Sequence, residues 1–181
     1  MVNITLIILI IIIVLIIIFL VWYMTQKKNT SEKTLYDRLG GVYSIAALVD
    51  YFSDALINNP IVGNRSPNKF LRDWHTNQLD RLPGLKFMRT LWLCSISGGP
   101  FKYSPTVPGK CPFSFENAHN KFNISPQEFD EVARILSASL DHFAVPQKEK
   151  NEVLSAFAAH KSEVNTGFFN SKNIAAETPK C

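Results

Sequence analysis

The sequence has little of what disulfide-rich and zinc proteins are built from. Its three cysteines, Cys94, Cys111 and Cys181, are odd in number and form no C-x-x-C pair, which argues against a disulfide framework and against a thiolate metal site. The four histidines make no His-x-x-x-His or His-x-x-Glu-His pair, so a zinc enzyme is disfavoured. There is no Gly-x-Ser-x-Gly elbow and no phosphate loop, which leaves hydrolase and nucleotide-binding readings without support. No segment alternates apolar and polar residues as a strand does, and no repeat is visible; an all-α fold follows. The net charge of +4 is spread out rather than gathered into a basic stripe, so no nucleic-acid partner is indicated.

Charge is also missing from one long stretch. From Ile4 to Met24 the chain is apolar apart from Thr5, and as a helix this run is about 31 Å long, the thickness of a bilayer core. The basic start and small-residue cleavage site of a secretory signal are absent. So many branched residues on every face would not suit a buried soluble helix. The sequence predicts a transmembrane anchor over residues 1–25, with the lipid bilayer as partner of residues 4–24. Trp22 and Tyr23 stand where an aromatic belt would lie, and Lys27 and Lys28 follow. The positive-inside rule then makes a single-pass protein whose remaining domain is cytoplasmic. The sequons at Asn29, Asn64 and Asn123 would matter only with the opposite orientation.

Residues 26–33 read as a tether, 34–167 as a helical domain and 168–181 as a polar, mobile tail. Ile45, Leu48, Val49, Phe52 and Leu56 recur at helical spacing and predict a helix over about 42–58. Residues 60–83 read as loop with a short helical turn. Leu85, Met88, Leu91, Trp92 and Ile96 restore the helical period over 84–97, before Gly98-Gly99-Pro100. Ser125-Pro126-Gln127-Glu128 is a capping box with proline at the first helical position, starting a helix to about His142. A last helix is predicted over 147–165.

Three segments occur in order: Thr34-Leu-Tyr-Asp-Arg-Leu-Gly-Gly-Val-Tyr-Ser-Ile-Ala46 with Asp50-Tyr-Phe52, then Gly98-Gly-Pro-Phe-Lys-Tyr103, then Ala118-His-Asn-Lys-Phe-Asn-Ile-Ser125. Together they resemble the signature segments of group I truncated haemoglobins over about residues 34–165. The resemblance implies a two-over-two helical sandwich preceded by the anchor, haem as cofactor, and His119 as the iron ligand. A lone histidine in this setting is more often a hydrogen-bonded surface residue; the ordered segments are what single it out.

The same resemblance puts Phe52 and Ser53 on the distal side, Leu85, Met88, Arg89 and Trp92 on the facing helix, and Phe122 beside the haem. At helical spacing most of these would otherwise be plain core. Many relatives carry a tyrosine where this chain has Ser53, and Tyr51 stands about 200° around the helix from that position. A glutamine on the facing helix of several relatives corresponds to Arg89, or to Thr90 if the register shifts by one. Lys86, Lys102 and Tyr103 are candidates for the haem propionates. The implied function is reversible binding of a diatomic gas, oxygen and possibly nitric oxide or carbon monoxide, at a membrane surface. Nitric oxide dioxygenation to nitrate, with a reductase as partner, is the enzymatic alternative; a cofactor-free helical interaction module is the third.

Overall fold

The computed structural model describes residues 4–28, 33–103 and 118–172. It separates into two compact units, residues 1–33 and 34–181. In the first, α1 spans Ile4–Lys28, so the helix continues through Gln26–Lys28, where a tether was expected. Its large side chains from Ile8 to Met24 are exposed on every face. Among the described residues no helix is long and apolar enough to cross a membrane. The described side chains of α1 begin at Ile8, whereas the apolar sequence begins at Ile4, so the expected span rests on sequence.

The second unit is helical throughout its described residues. Thr34 caps the short α2 (Leu35–Arg38): its hydroxyl accepts from Asp37 N, and the Asp37 carboxylate accepts from Thr34 N in return. Gly40 and Gly41, at φ +87° and +77°, then turn the chain into α3 (Gly41–Asn58). The predicted stripe of α3 is the core: Ile45, Leu48, Val49, Phe52 and Leu56 are buried.

Residues 60–83 hold more helix than their sequence suggested. Asn68 starts α4 (Lys69–Asn77) by accepting from Phe70 N at 3.0 Å, and a 3-10 turn over Leu79–Arg81 leads into α5 (Leu82–Ile96). Only Leu71 and His75 of α4 are buried, which explains why no apolar period marks this helix. The buried face of α5 also differs from its apolar pattern. Thr90, Leu93 and Cys94, with Ser97 just beyond, are buried, whereas Leu85, Met88, Arg89 and Trp92 form a neighbouring half-buried stripe and Ile96 is exposed.

The expected irregular connection over 104–114 lies outside the described residues. The chain re-enters at Ala118, makes a 3-10 turn over Asn120–Phe122, and starts α6 (Pro126–His142) at Ser125, where both hydrogen bonds of the capping box are present. The single helix predicted over 147–165 is two: α7 (Gln147–Ala158) and α8 (Lys161–Lys172). Part of the expected tail is therefore helix, and residues 173–181 lie outside the described residues. Helices α3 and α5 pack as one pair, α6 packs on α7 and α8 as the other, and α3 joins α6 across the middle. Ile45, Leu48, Leu93, Leu136, Leu140 and Val153 share the resulting core.

Candidate functional site

Burial divides α5 into two jobs. The stripe through Thr90, Leu93 and Cys94 is spent on the core, and Thr90 donates to the carbonyl of Lys86 on its own helix. The stripe through Leu85, Met88, Arg89 and Trp92 is left half-covered, an unusual state for so much apolar surface in a packed domain. His119 and Phe122 are likewise half-buried. Among the described residues α5 packs on α3, whereas the Asn120–Phe122 turn packs on α8 and α4. The two half-buried sets thus belong to different packing groups, an arrangement suited to a flat apolar group held between two walls.

On the α3 side Ser53 is fully buried. Arg89 Nη1 donates to Ser53 Oγ at 2.9 Å, and the guanidinium stands 5.6 Å from the Phe52 ring centre. Of the two candidates on the facing helix, Arg89 meets Ser53, whereas Thr90 donates to its own helix. Burial pulls the Arg89 pKa down to about 10, still high enough to keep the charge at neutral pH. Lys86 is committed elsewhere, to Asp50 at 2.6 Å and Asp54 at 2.7 Å, and so is not free for a propionate.

His75 on α4 is buried, and its Nδ1 has no hydrogen-bond partner. Burial first, and the Arg89 charge second, push its pKa below the ordinary value, against a weaker pull from backbone groups of Leu71 and Val62. Ser53 and Arg89 thus meet where α3 packs on α5, and the Arg89 charge is felt at buried His75 of α4.

The His119 segment is held from behind. Asn165 of α8 donates to the Ile124 carbonyl at 2.7 Å, and the Asn123 amide reaches the Gly167 and Asn120 carbonyls, each at 3.1 Å. Gly167 is buried directly against the Asn120 carbonyl. Asn68 Nδ2 donates to the Phe122 carbonyl at 3.0 Å, and Trp74 packs edge-on against the Phe122 ring at 5.6 Å. Arg81 and Lys121 lie 5.1 and 5.3 Å from the Trp74 ring, beside a surface groove that Phe70, Trp74 and Phe122 line. Asn120 Oδ1 is buried without a partner.

Of the residues singled out by sequence, the structure brings Phe52, Ser53 and Arg89 together and sets His119 at the start of the separate Asn120–Phe122 turn. Trp92 packs edge-on to His160 at 5.7 Å. Sequence reasoning did not single out Trp74, Arg81, Asn165 and Gly167, which carry no motif, nor Lys121, which lies inside the third segment. Among the described residues no group of three or more His, Cys, Asp or Glu side chains is placed to hold a metal ion. A single imidazole beside an apolar wall matches the donor set of haem iron instead. Cys94 is buried, with its thiol pKa raised by that burial, so it does not compete as a ligand.

Residues 34–166 match the family model for bacterial-like globins. The chain is similar in fold to the truncated haemoglobin of Tetrahymena pyriformis in its Fe(III) form, at 22% identity, TM-score 0.55, covering 73% of this chain and 97% of that one. The two-over-two haemoglobin of Synechococcus, solved in the cyanomet state with covalently attached haem, gives 20% identity, TM-score 0.57, and coverage of 74% and 98%. The haemoglobin of Chloroflexus aurantiacus gives 25% identity, TM-score 0.55, and the same coverages of 74% and 98%. No curated protein matches. With a family model covering most of the chain and a helical arrangement like that of truncated haemoglobins, this protein belongs to the bacterial-like globins, whose cofactor is haem.

Proposed function

We propose that this globin holds haem with His119 as its iron ligand and reversibly binds a diatomic gas, oxygen first among them, at a membrane surface. The observation that carries the reading is the half-buried stripe Leu85, Met88, Arg89 and Trp92 on α5, set apart from a half-buried His119 and Phe122. When bound, haem supplies an open iron position for the gas. The chain would supply the rest: His119 an imidazole for the iron, the α5 stripe and Phe52 apolar walls, and Arg81 and Lys121 cations for the cofactor's carboxylates. The resemblance puts Ser53 where many relatives carry a tyrosine and Arg89 where several carry a glutamine, and Arg89 has donors to offer a bound ligand.

Absorption spectra of the reconstituted protein in ferric, ferrous and carbonmonoxy forms test this. A Soret band is expected in wild type, and His119→Ala is expected to take up no haem stably or to lose it easily, because the imidazole is the directional bond to iron. An unchanged ferrous spectrum in His119→Ala would move the ligand to another histidine.

The membrane part of the reading is supported by α1, apolar on every described face, with Trp22 and Tyr23 ahead of Lys27 and Lys28. These features favour a bilayer as its surroundings and a cytoplasmic globin domain. Nitric oxide dioxygenation to nitrate, with a reductase as partner, is the second reading; the buried Arg89 charge favours it, since the product is an anion. Nitrate formation by ferrous protein given oxygen and nitric oxide would distinguish it from simple carriage.

A further inference from the structure

A second groove lies alongside the buried stripe of α3. Ala47, Tyr51 and Ala55 follow one another at four-residue spacing, Asp50 and Asp54 form the neighbouring row, and Phe143, just past the end of α6, joins them around a space of about 530 Å³. The rings here are ordered. His142 stacks on Tyr51 at 4.0 Å with 6° between the planes, and Phe143 stands edge-on to both, 5.9 Å from Tyr51 and 5.2 Å from His142. Tyr51 and Phe143 nevertheless remain 41% and 40% exposed, and alanine one turn before and one turn after Tyr51 leaves that ring unobstructed at both ends. Aromatic side chains held in place yet left in solvent are surface that folding has not consumed. The charge beside them is unbalanced. Lys86 Nζ donates to Asp50 Oδ1 at 2.6 Å and to Asp54 Oδ1 at 2.7 Å, and the second oxygen of each carboxylate accepts no hydrogen bond among the described residues. Two carboxylates against one ammonium leave one negative charge over, and the two acids are 63% and 56% exposed where Lys86 is only 20% exposed.

From this pairing of aromatic rings with spare carboxylate oxygens, we propose that the groove is the docking site for an arginine presented by a short extended segment of a partner protein. A guanidinium is planar and carries its donors at the edge, so it lies flat on an aromatic ring while giving paired N–H groups to a carboxylate. A lysine ammonium, a compact and strongly hydrated charge, combines the two contacts less well. The stretch Ala47–Ala55 is about 12 Å long, the reach of about four extended residues. The groove is open along that length rather than enclosed as a small-molecule pocket is, which favours a peptide segment as its occupant. None of the groove residues is among those assigned to the cofactor, so the docking site stands independently of the haem reading.

The test uses full-length protein in micelles of a neutral detergent and follows its amide chemical shifts. The probe is the peptide acetyl-Ala-Arg-Leu-Arg-Ala-amide, with counterparts carrying lysine or the neutral, planar citrulline in place of arginine. The arginine peptide is expected to shift the signals of Ala47–Asn58 and Phe143 and to bind about fivefold or more tighter than either counterpart. Asp54→Asn and Tyr51→Ala should each weaken it by about threefold or more, whereas Asp80→Asn, which removes an exposed carboxylate outside the groove, should leave it within about twofold. No shift at millimolar peptide overturns the proposal, as does equal affinity for the arginine and lysine peptides. An equal loss in Asp80→Asn also overturns it, by reducing the effect to net charge. Concentration-dependent self-association that Tyr51→Ala abolishes would give the groove to a second copy of this chain and overturn it too.

Discussion

A methyl group added at Gly167 would overlap the carbonyl of Asn120, one residue beyond His119. In an unconstrained helix, glycine to alanine gains about 1 kcal/mol. Here overpacking, which costs roughly 1–3 kcal/mol, outweighs that gain. Gly167→Ala is therefore expected to lower the urea midpoint and to speed haem transfer to an acceptor globin, while Gly84→Ala, with open space around it, should not. A second residue-scale expectation concerns pH. His75 has a folded-state pKa below its unfolded value of 6.5, so the unfolded chain binds more protons between those two values. Stability should be indifferent to this group above 6.5 and should fall as pH drops from 6.5 toward the folded pKa. Unfolding midpoints taken between pH 8 and 5 should show that fall in wild type and a shallower one in His75→Gln. At this scale the sequence was informative where a residue sits inside an ordered segment, as His119 does, or directly after one, as Ser53 does. It was silent on Gly167, whose role depends on a neighbour 47 positions earlier in the chain, at Asn120.

Helices with an apolar period were readable, with or without a capping signal, and the one without a period was not. The Ser125 box starts α6 at its predicted residue, and the stripe of α3 is its buried face. The polar α4 gave no period, because Leu71 and His75 are its only buried residues. The break between α7 and α8 contains no glycine or proline, so nothing local announced it. In α5 the apolar period pointed to the half-open face rather than to the core, since Thr90 and Cys94 are what the core takes. That mismatch is itself informative: apolar residues spared from the core are available to a cofactor. Helix α4 depends on Asn68, which both caps it and ties it to the Phe122 carbonyl. Asn68→Ala should cost on the order of 1–2 kcal/mol in denaturant unfolding from the cap alone. Loss of the tie should also raise hydrogen exchange across Lys69–Asn77.

For the molecule as a whole, the two units were foreshadowed by the change from apolar to mixed composition near Lys27. Full-length protein is expected to sediment with membranes and to resist alkaline carbonate, whereas residues 34–181 alone should remain in the supernatant and still take up haem. Carbonate release of the full-length chain would remove the bilayer from the proposal. The grip of α8 on the His119 turn also has a consequence in time. Asn165 and Gly167 leave the ribosome after His119, and α1 emerges before either. The turn that presents the imidazole is thus completed only when nearly the whole described chain has been made, by which stage the leading helix has long been free to engage its surroundings. Cofactor loading is then a late step, one that waits for α8 to close on the turn.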